Sequence, residues 1–170
     1  MALLMELEVT TKSAKETQLF AKKLATEIIG SNPERTGALV IALEGDLGGG
    51  KTTFSQGFAL GLGVKKSVLS PTFVLLKSYK LQATSLNFRK SDFRKFIHID
   101  AYRFDRAEEI LPLGWKDFTK DTHAIILVEW ADRIRKYLPK NYIKITFEFV
   151  DEKTRRIYVN YESGIKNKGK

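Results

Sequence analysis

The sequence predicts an α/β fold: a mainly parallel central sheet between two helical layers, with antiparallel strands that include a C-terminal hairpin. Two fully apolar runs, residues 38–43 (ALVIAL) and 124–128 (AIILV), suit strands covered on both faces, as in parallel sheets. The first run breaks into a glycine-rich loop and then into apolar residues at helical spacing. Near the C-terminus, Ile143, Ile145, Phe147 and Phe149 alternate with polar residues, the mark of antiparallel strands with one exposed face.

Taken in order, residues 5–10 read as a short strand. Ser13 followed by Glu16 has capping-box spacing, and Phe20, Leu24 and Ile28 form the buried stripe of the helix it starts. Residues 30–37 end that helix. After the strand at 38–43 and the loop, a second helix begins near Lys51, with Phe54, Phe58 and Leu62 on its inner face. Residues 70–73 (SPTF) lead into an extended segment, 73–79. Residues 80–95 lack periodicity, carry Arg89, Lys90, Arg94 and Lys95, and read as a loop or insertion. Residues 96–100 (FIHID) read as a strand with Phe96, His98 and Asp100 on one face. One or two short helical turns are expected over 108–118, and the strand at 124–128 ends in Glu129 and Trp130. After a turn at 151–154 the hairpin's second strand reaches Tyr161. One domain is expected over residues 1–163, with 164–170 a basic tail outside it.

The loop carries the chemistry. Gly45, Gly50, Lys51 and Thr52 fit G-x-x-x-x-G-K-[ST], with Asp46, Leu47, Gly48 and Gly49 between them. Consecutive backbone N–H groups can converge on one anion only along a path that glycines permit, and the following helix adds its unpaired first-turn N–H groups and positive dipole end. Lys51 adds a full charge, Thr52 a hydroxyl for the magnesium ion of a nucleoside triphosphate, and Thr53 a further donor. A glycine-rich turn with a chance lysine would match the same letters. The buried strand before the motif and the helix after it favour the cradle, and with it a P-loop NTPase-like three-layer sandwich.

Two strands end in an acid, and in open α/β sheets ligands lie beyond the carboxyl ends of the strands. Glu129 is expected on the magnesium side, and Asp100 to orient water or complete the metal shell, roles that are exchangeable; a strand-end cap or surface ion pair is the plainer reading of either. His98 fits a packed histidine beside Phe96 as well as a place in the site. Trp130 fits a stacking residue as well as core, and Tyr102 and Arg103 fit switch residues as well as loop anchors.

Composition bounds the rest. The 170 residues include no cysteine, which excludes disulfides, thiol catalysis and cysteine metal sites. Lysine and arginine number 29 against 20 acids, a formal charge of +9 that suits polyanion contact as well as plain solubility. Early charges, the lack of a signal-peptide core and the lack of a span-length apolar run lead to the expectation of a cytoplasmic protein without a membrane partner.

The ordered set GDLGGGKTTF, SPTF, HIDAYRF (98–104) and LVEW (127–130) resembles the TsaE (YjeE) family of small bacterial P-loop ATPases. The resemblance implies an ATP- and Mg2+-dependent ATPase needed to add threonylcarbamoyl to the adenosine next to the anticodon of tRNA. It implies TsaD and TsaB proteins as partners, with any tRNA contact made through their complex. Carried over by position, the phosphate loop falls on Gly45 to Thr53, the magnesium contacts on Thr52 and Glu129, and the essential aspartate on Asp100. Residues 70–73 match the switch segment, and Trp130 the tryptophan near the nucleotide. Residues 11–13 fall where the family approaches adenine. The stretch from Tyr79 to Phe96 is longer than the family pattern. Rival readings are a small-molecule P-loop kinase with 80–95 as its lid, and a nucleotide-dependent switch without turnover. A GTPase is disfavoured by the lack of an Asn-Lys-x-Asp element.

Overall fold

A computed structural model describes residues 6–64, 75–82 and 91–162. The chain runs through β1 (Leu7–Thr11), α1 (Ala14–Ser31), β2 (Leu39–Gly45), α2 (Lys51–Gly61), β3 (Leu76–Lys80) and β4 (Lys95–Asp100). A 3-10 segment (Ala107–Leu113), α3 (Trp115–Lys120), β5 (Ala124–Glu129), a second 3-10 segment (Ala131–Tyr137) and the hairpin strands β6 (Tyr142–Phe149) and β7 (Arg155–Glu162) follow. The strands form one seven-stranded mixed sheet in the order β1-β7-β6-β2-β5-β4-β3. Central β2 pairs in parallel with β5 and β6, and β4 pairs in parallel with β5. The antiparallel pairs are β3 with β4, β6 with β7 and β1 with β7.

Both faces of β2 are covered, which is why its sequence does not alternate. Leu39, Ile41 and Leu43 pack under α1 and α2 with Phe54, Phe58 and Phe96. Val40 and Ala42 face the opposite layer, where Ile97, Ile99, Ile126 and Val128 meet Ile110, Trp115 and Ile134 of the helical turns. Burial of each large aliphatic side chain contributes about 1.5–3 kcal/mol, so this double-sided packing is the main stabilising term. Ser13 caps α1, its Oγ accepting the Glu16 N–H at 3.1 Å, but the return bond of a capping box is shifted by one residue: Glu16 Oε2 accepts the Lys12 N–H, at 2.7 Å, instead of that of Ser13.

Several boundaries differ from expectation. The α1 stripe is broader, with Ala21, Ala25 and Ile29 buried beside Leu24 and Ile28, and Phe20 sits at its half-buried margin. Phe149 is 51% exposed although it continues the alternation, because the hairpin tip runs past the helical layer that covers Ile145 and Phe147. Lys80 and Lys95, taken as the limits of a loop, are a paired position of β3 and β4. Residues 70–73, 83–90 and the tail at 164–170 lie outside the described residues. The 3-10 segment after Trp130 was not expected; Ala131 and Ile134 anchor it in the core. Among the described residues, no helix is long and apolar enough to cross a membrane.

Close approach of α1 and α2 depends on two glycines. A Cβ on Gly57 would lie 2.2 Å from Gln18 O, and one on Gly61 would lie 2.5 Å from Lys22 O, both helix backbone that cannot swing aside. Gly57→Ala gains up to about 1 kcal/mol in helix propensity but incurs about 1–3 kcal/mol or more of overpacking, so a net loss in stability is expected. Gly30, with nothing within 4 Å of its Cβ position, is the control. Gly30→Ala is expected to be neutral or stabilising, and urea denaturation of the two variants checks both signs.

Candidate functional site

β2 delivers the chain to the loop at Gly45, whose φ of 137° and a would-be Cβ contact of 2.5 Å with Phe147 O demand glycine. The loop closes with the Gly49 N–H on Asp46 O at 3.0 Å, and Gly50, at φ 99°, serves as the N-cap of α2. A glycine N-cap offers no side chain to the first-turn N–H groups, so α2 opens toward the loop with those donors uncapped by a side chain.

Lys51 is buried at 4% exposure. Its Nζ donates to Gly45 O at 2.6 Å and Asp46 O at 2.8 Å, and lies 3.7 Å from the centroid of the Trp130 ring. Burial pushes the ammonium below the ordinary lysine range, and the charges of Glu129, Asp132, Asp46 and Asp100 act in the opposite direction. Trp130 adopts φ 58°, a left-handed conformation that costs a non-glycine residue about 1–3 kcal/mol. It stands beside Tyr102 with ring centroids 5.0 Å apart.

Beneath the loop, Thr52 Oγ1 donates to Glu129 Oε2 at 2.8 Å. Glu129 Oε1 lies 2.8 Å from both Ser55 Oγ and His98 Nε2. Ser55 Oγ is also 2.9 Å from Lys51 O, so its single hydrogen serves one acceptor at a time. Asp100 is the register partner of Glu129 across β4 and β5, and its Oδ1 accepts the Tyr102 N–H at 2.9 Å.

Leu47, Gly48, Gly49, Gly50, Lys51, Thr52, Thr53, Asp100, Glu129 and Trp130 all line one cavity of about 720 Å³, within the usual size of a small-ligand site. Gly45 and Asp46 stand behind it and hold Lys51 by their carbonyls. His98 is packed beside Phe96, as one reading of it had, and its Nε2 also lies against Glu129. Sequence reasoning missed Ser55, although its spacing from Thr52 puts both hydroxyls on one helix face. It also missed Arg155, whose Nε donates to Gly48 O at 3.1 Å and whose guanidinium stacks over Phe149 at 4.7 Å. Nothing in the sequence places the β6–β7 turn against the loop; that follows from β6 pairing with β2.

The donor set suits a hard cation at its outer edge. Thr52 Oγ1 and Glu129 Oε2 are oxygen donors of the kind such a cation takes, with the Asp100 carboxylate on the neighbouring strand end. Among the described residues no cluster of three or more His, Cys, Asp or Glu forms a metal cage. Oxygen donors of this kind suit magnesium, which binds through one or two carboxylates together with phosphate oxygens.

The family described as "Threonylcarbamoyl adenosine biosynthesis protein TsaE" matches residues 11–157. The chain is 36% identical over 138 residues to the tRNA threonylcarbamoyladenosine biosynthesis protein TsaE of Bacillus subtilis, covering 74% of this chain and 79% of that one. The protein of the same name from Rickettsia typhi is 31% identical over 155 residues, 91% of this chain and 94% of its own. The crystal structure of Bacillus subtilis YdiB aligns with a TM-score of 0.66 at 28% identity, over 96% of this chain and 90% of the other. With glycine loop, lysine, threonine and strand-end acids gathered in one cavity and the match running through all of them, the chain belongs to the TsaE family.

Proposed function

We propose that this chain is the ATP-binding and ATP-hydrolysing subunit of tRNA threonylcarbamoyladenosine formation, acting with TsaB and TsaD proteins on the adenosine next to the anticodon. The reading takes the chain as a cytoplasmic P-loop NTPase-like three-layer sandwich forming one domain over residues 1–163, with tRNA contacted through the complex. The observation that carries it is the 2.8 Å contact between Thr52 Oγ1 and Glu129 Oε2 at the root of a glycine loop. That arrangement is what a P-loop site needs to seat the magnesium ion of a bound triphosphate.

In this reading the N–H groups at the start of α2 hold the phosphates, and Lys51 leaves the carbonyls of Gly45 and Asp46 to meet them. Thr52 and Glu129 would hold Mg2+, which would supply charge neutralisation at the phosphate oxygens. Asp100, fixed by the Tyr102 N–H, is the candidate for orienting the attacking water. Trp130 forms the wall beside Lys51.

A charge-assisted contact is worth about 1.5–3 kcal/mol, but Lys51 must first give up two carbonyl bonds and a ring contact. Lys51→Ala is therefore expected to weaken ATP binding by about tenfold, the lower end of that range, by calorimetric titration. Asp100→Asn and Glu129→Gln are each expected to abolish turnover stimulated by TsaB and TsaD counterparts, with ATP binding kept in Asp100→Asn. Wild-type turnover in either variant removes that residue from the mechanism, and ATP binding without turnover even with partners present favours a switch.

Proton linkage gives a third check. In the free chain burial lowers the Lys51 pKa, and phosphate oxygens beside it raise it. Between the two values the free lysine is neutral and the bound one charged. ATP binding should therefore take up a proton in alkaline buffer, at pH below the ordinary lysine range. Calorimetry in two buffers of different ionisation enthalpy measures the uptake, and Lys51→Met should remove it.

A further inference from the structure

We propose that His98 is a positioning residue: it pins the inner oxygen of Glu129 so that the outer oxygen is held beside Thr52 for the metal ion of the bound nucleotide. The inference rests on the magnesium–nucleotide reading of the cavity. His98 is fully buried on β4, and its ring is held against Phe96 at a centroid distance of 6.2 Å and an interplanar angle of 17°. The Glu129 carboxylate can only accept, so the hydrogen of the 2.8 Å contact sits on His98 Nε2. The other ring nitrogen, Nδ1, is buried with no hydrogen-bond partner among the described residues. A ring present only for packing would not require a nitrogen there, since an apolar ring fills the same space without the cost of an unmet acceptor. The polar contact that justifies histidine is the one to Glu129.

The geometry divides the carboxylate in two. Oε1 faces inward to His98 and Ser55, and Oε2 faces Thr52 at the cavity. Ser55 shares its hydrogen with Lys51 O, so it cannot hold Oε1 at all times. His98 has no competing acceptor at Nε2 and is the steadier donor. Partners that orient metal ligands in this way commonly change metal affinity or activity by about 10- to 100-fold when removed.

The test uses the intact chain with His98→Phe, His98→Asn and Ser55→Ala, read by binding of a fluorescent ADP analogue in EDTA and then along a Mg2+ titration. His98→Phe keeps the ring stack without a donor, and His98→Asn restores an N–H. His98→Phe is expected to raise the half-saturating Mg2+ concentration by about 10- to 100-fold. Its metal-free nucleotide affinity should stay within about twofold of the parent, a check that the cavity has formed. His98→Asn should recover most of the Mg2+ response, and Ser55→Ala should shift it in the same direction by less. A parental Mg2+ requirement in His98→Phe overturns the inference alone, as does an equal loss of metal-free binding in His98→Phe and His98→Asn. An unmodified chain whose nucleotide binding ignores Mg2+ overturns the magnesium reading and this inference with it.

Discussion

A carboxylate sealed inside an α/β sheet sets the terms for everything around it. Glu129 is 1% exposed, and an ionised group at that depth is tolerated only when hydrogen bonds replace its water. The replacements come from two different elements: Thr52 and Ser55 of α2 and His98 of β4. β5, which carries Glu129, is thereby tied at its carboxyl end to the helix above it and the strand beside it. Removing the acid while leaving the donors would strand the fully buried His98 Nε2 and leave buried Ser55 with only the Lys51 carbonyl to meet.

The glycine loop sits where it does because of two close approaches. Gly45 lets β2 lie against the Phe147 backbone of β6, while Gly57 and Gly61 let α2 lie against the backbone of α1. The first contact fixes where the loop starts and the second fixes the axis of the helix it feeds. Both ends of the loop are therefore set by packing against neighbouring backbone, and the residues between them, Asp46 to Gly50, span a gap defined from outside. Arg155 adds a third tether by donating to Gly48 O, which joins the hairpin tip to the loop.

Much of this was legible in sequence because it depends on local pattern. The apolar runs named β2 and β5, the capping box named the start of α1, and the G-x-x-x-x-G-K-T spacing named the loop. The acids were legible as strand ends, since in open α/β sheets the carboxyl ends of the strands meet the crevice. What escaped notice depends on which strands are neighbours. Arg155 reaches the loop only because β6 pairs with β2, and His98 meets Glu129 only because β4 pairs with β5 in the register that sets Asp100 beside Glu129. Phe149 escaped for another reason: alternation predicts which face a side chain takes, not whether a helix extends far enough to cover it.

The state of Lys51 follows from the same buried charge. Among the described residues it makes no ion pair within bonding distance; its ammonium rests on two neutral carbonyls and the face of Trp130. Glu129, Asp132, Asp46 and Asp100 attract it only over longer range, and burial outweighs them. Had Lys51 closed directly on Glu129, the two charges would satisfy each other and an arriving anion would have to break the pair. The inner donors of Glu129 and the unusual backbone of Trp130 keep the two apart: one fills the acid's acceptors, the other offers the lysine an alternative rest. The chain thus holds a desolvated cation and a desolvated carboxylate in one cavity without letting them neutralise, which is the electrostatic condition for receiving an anion and a cation together.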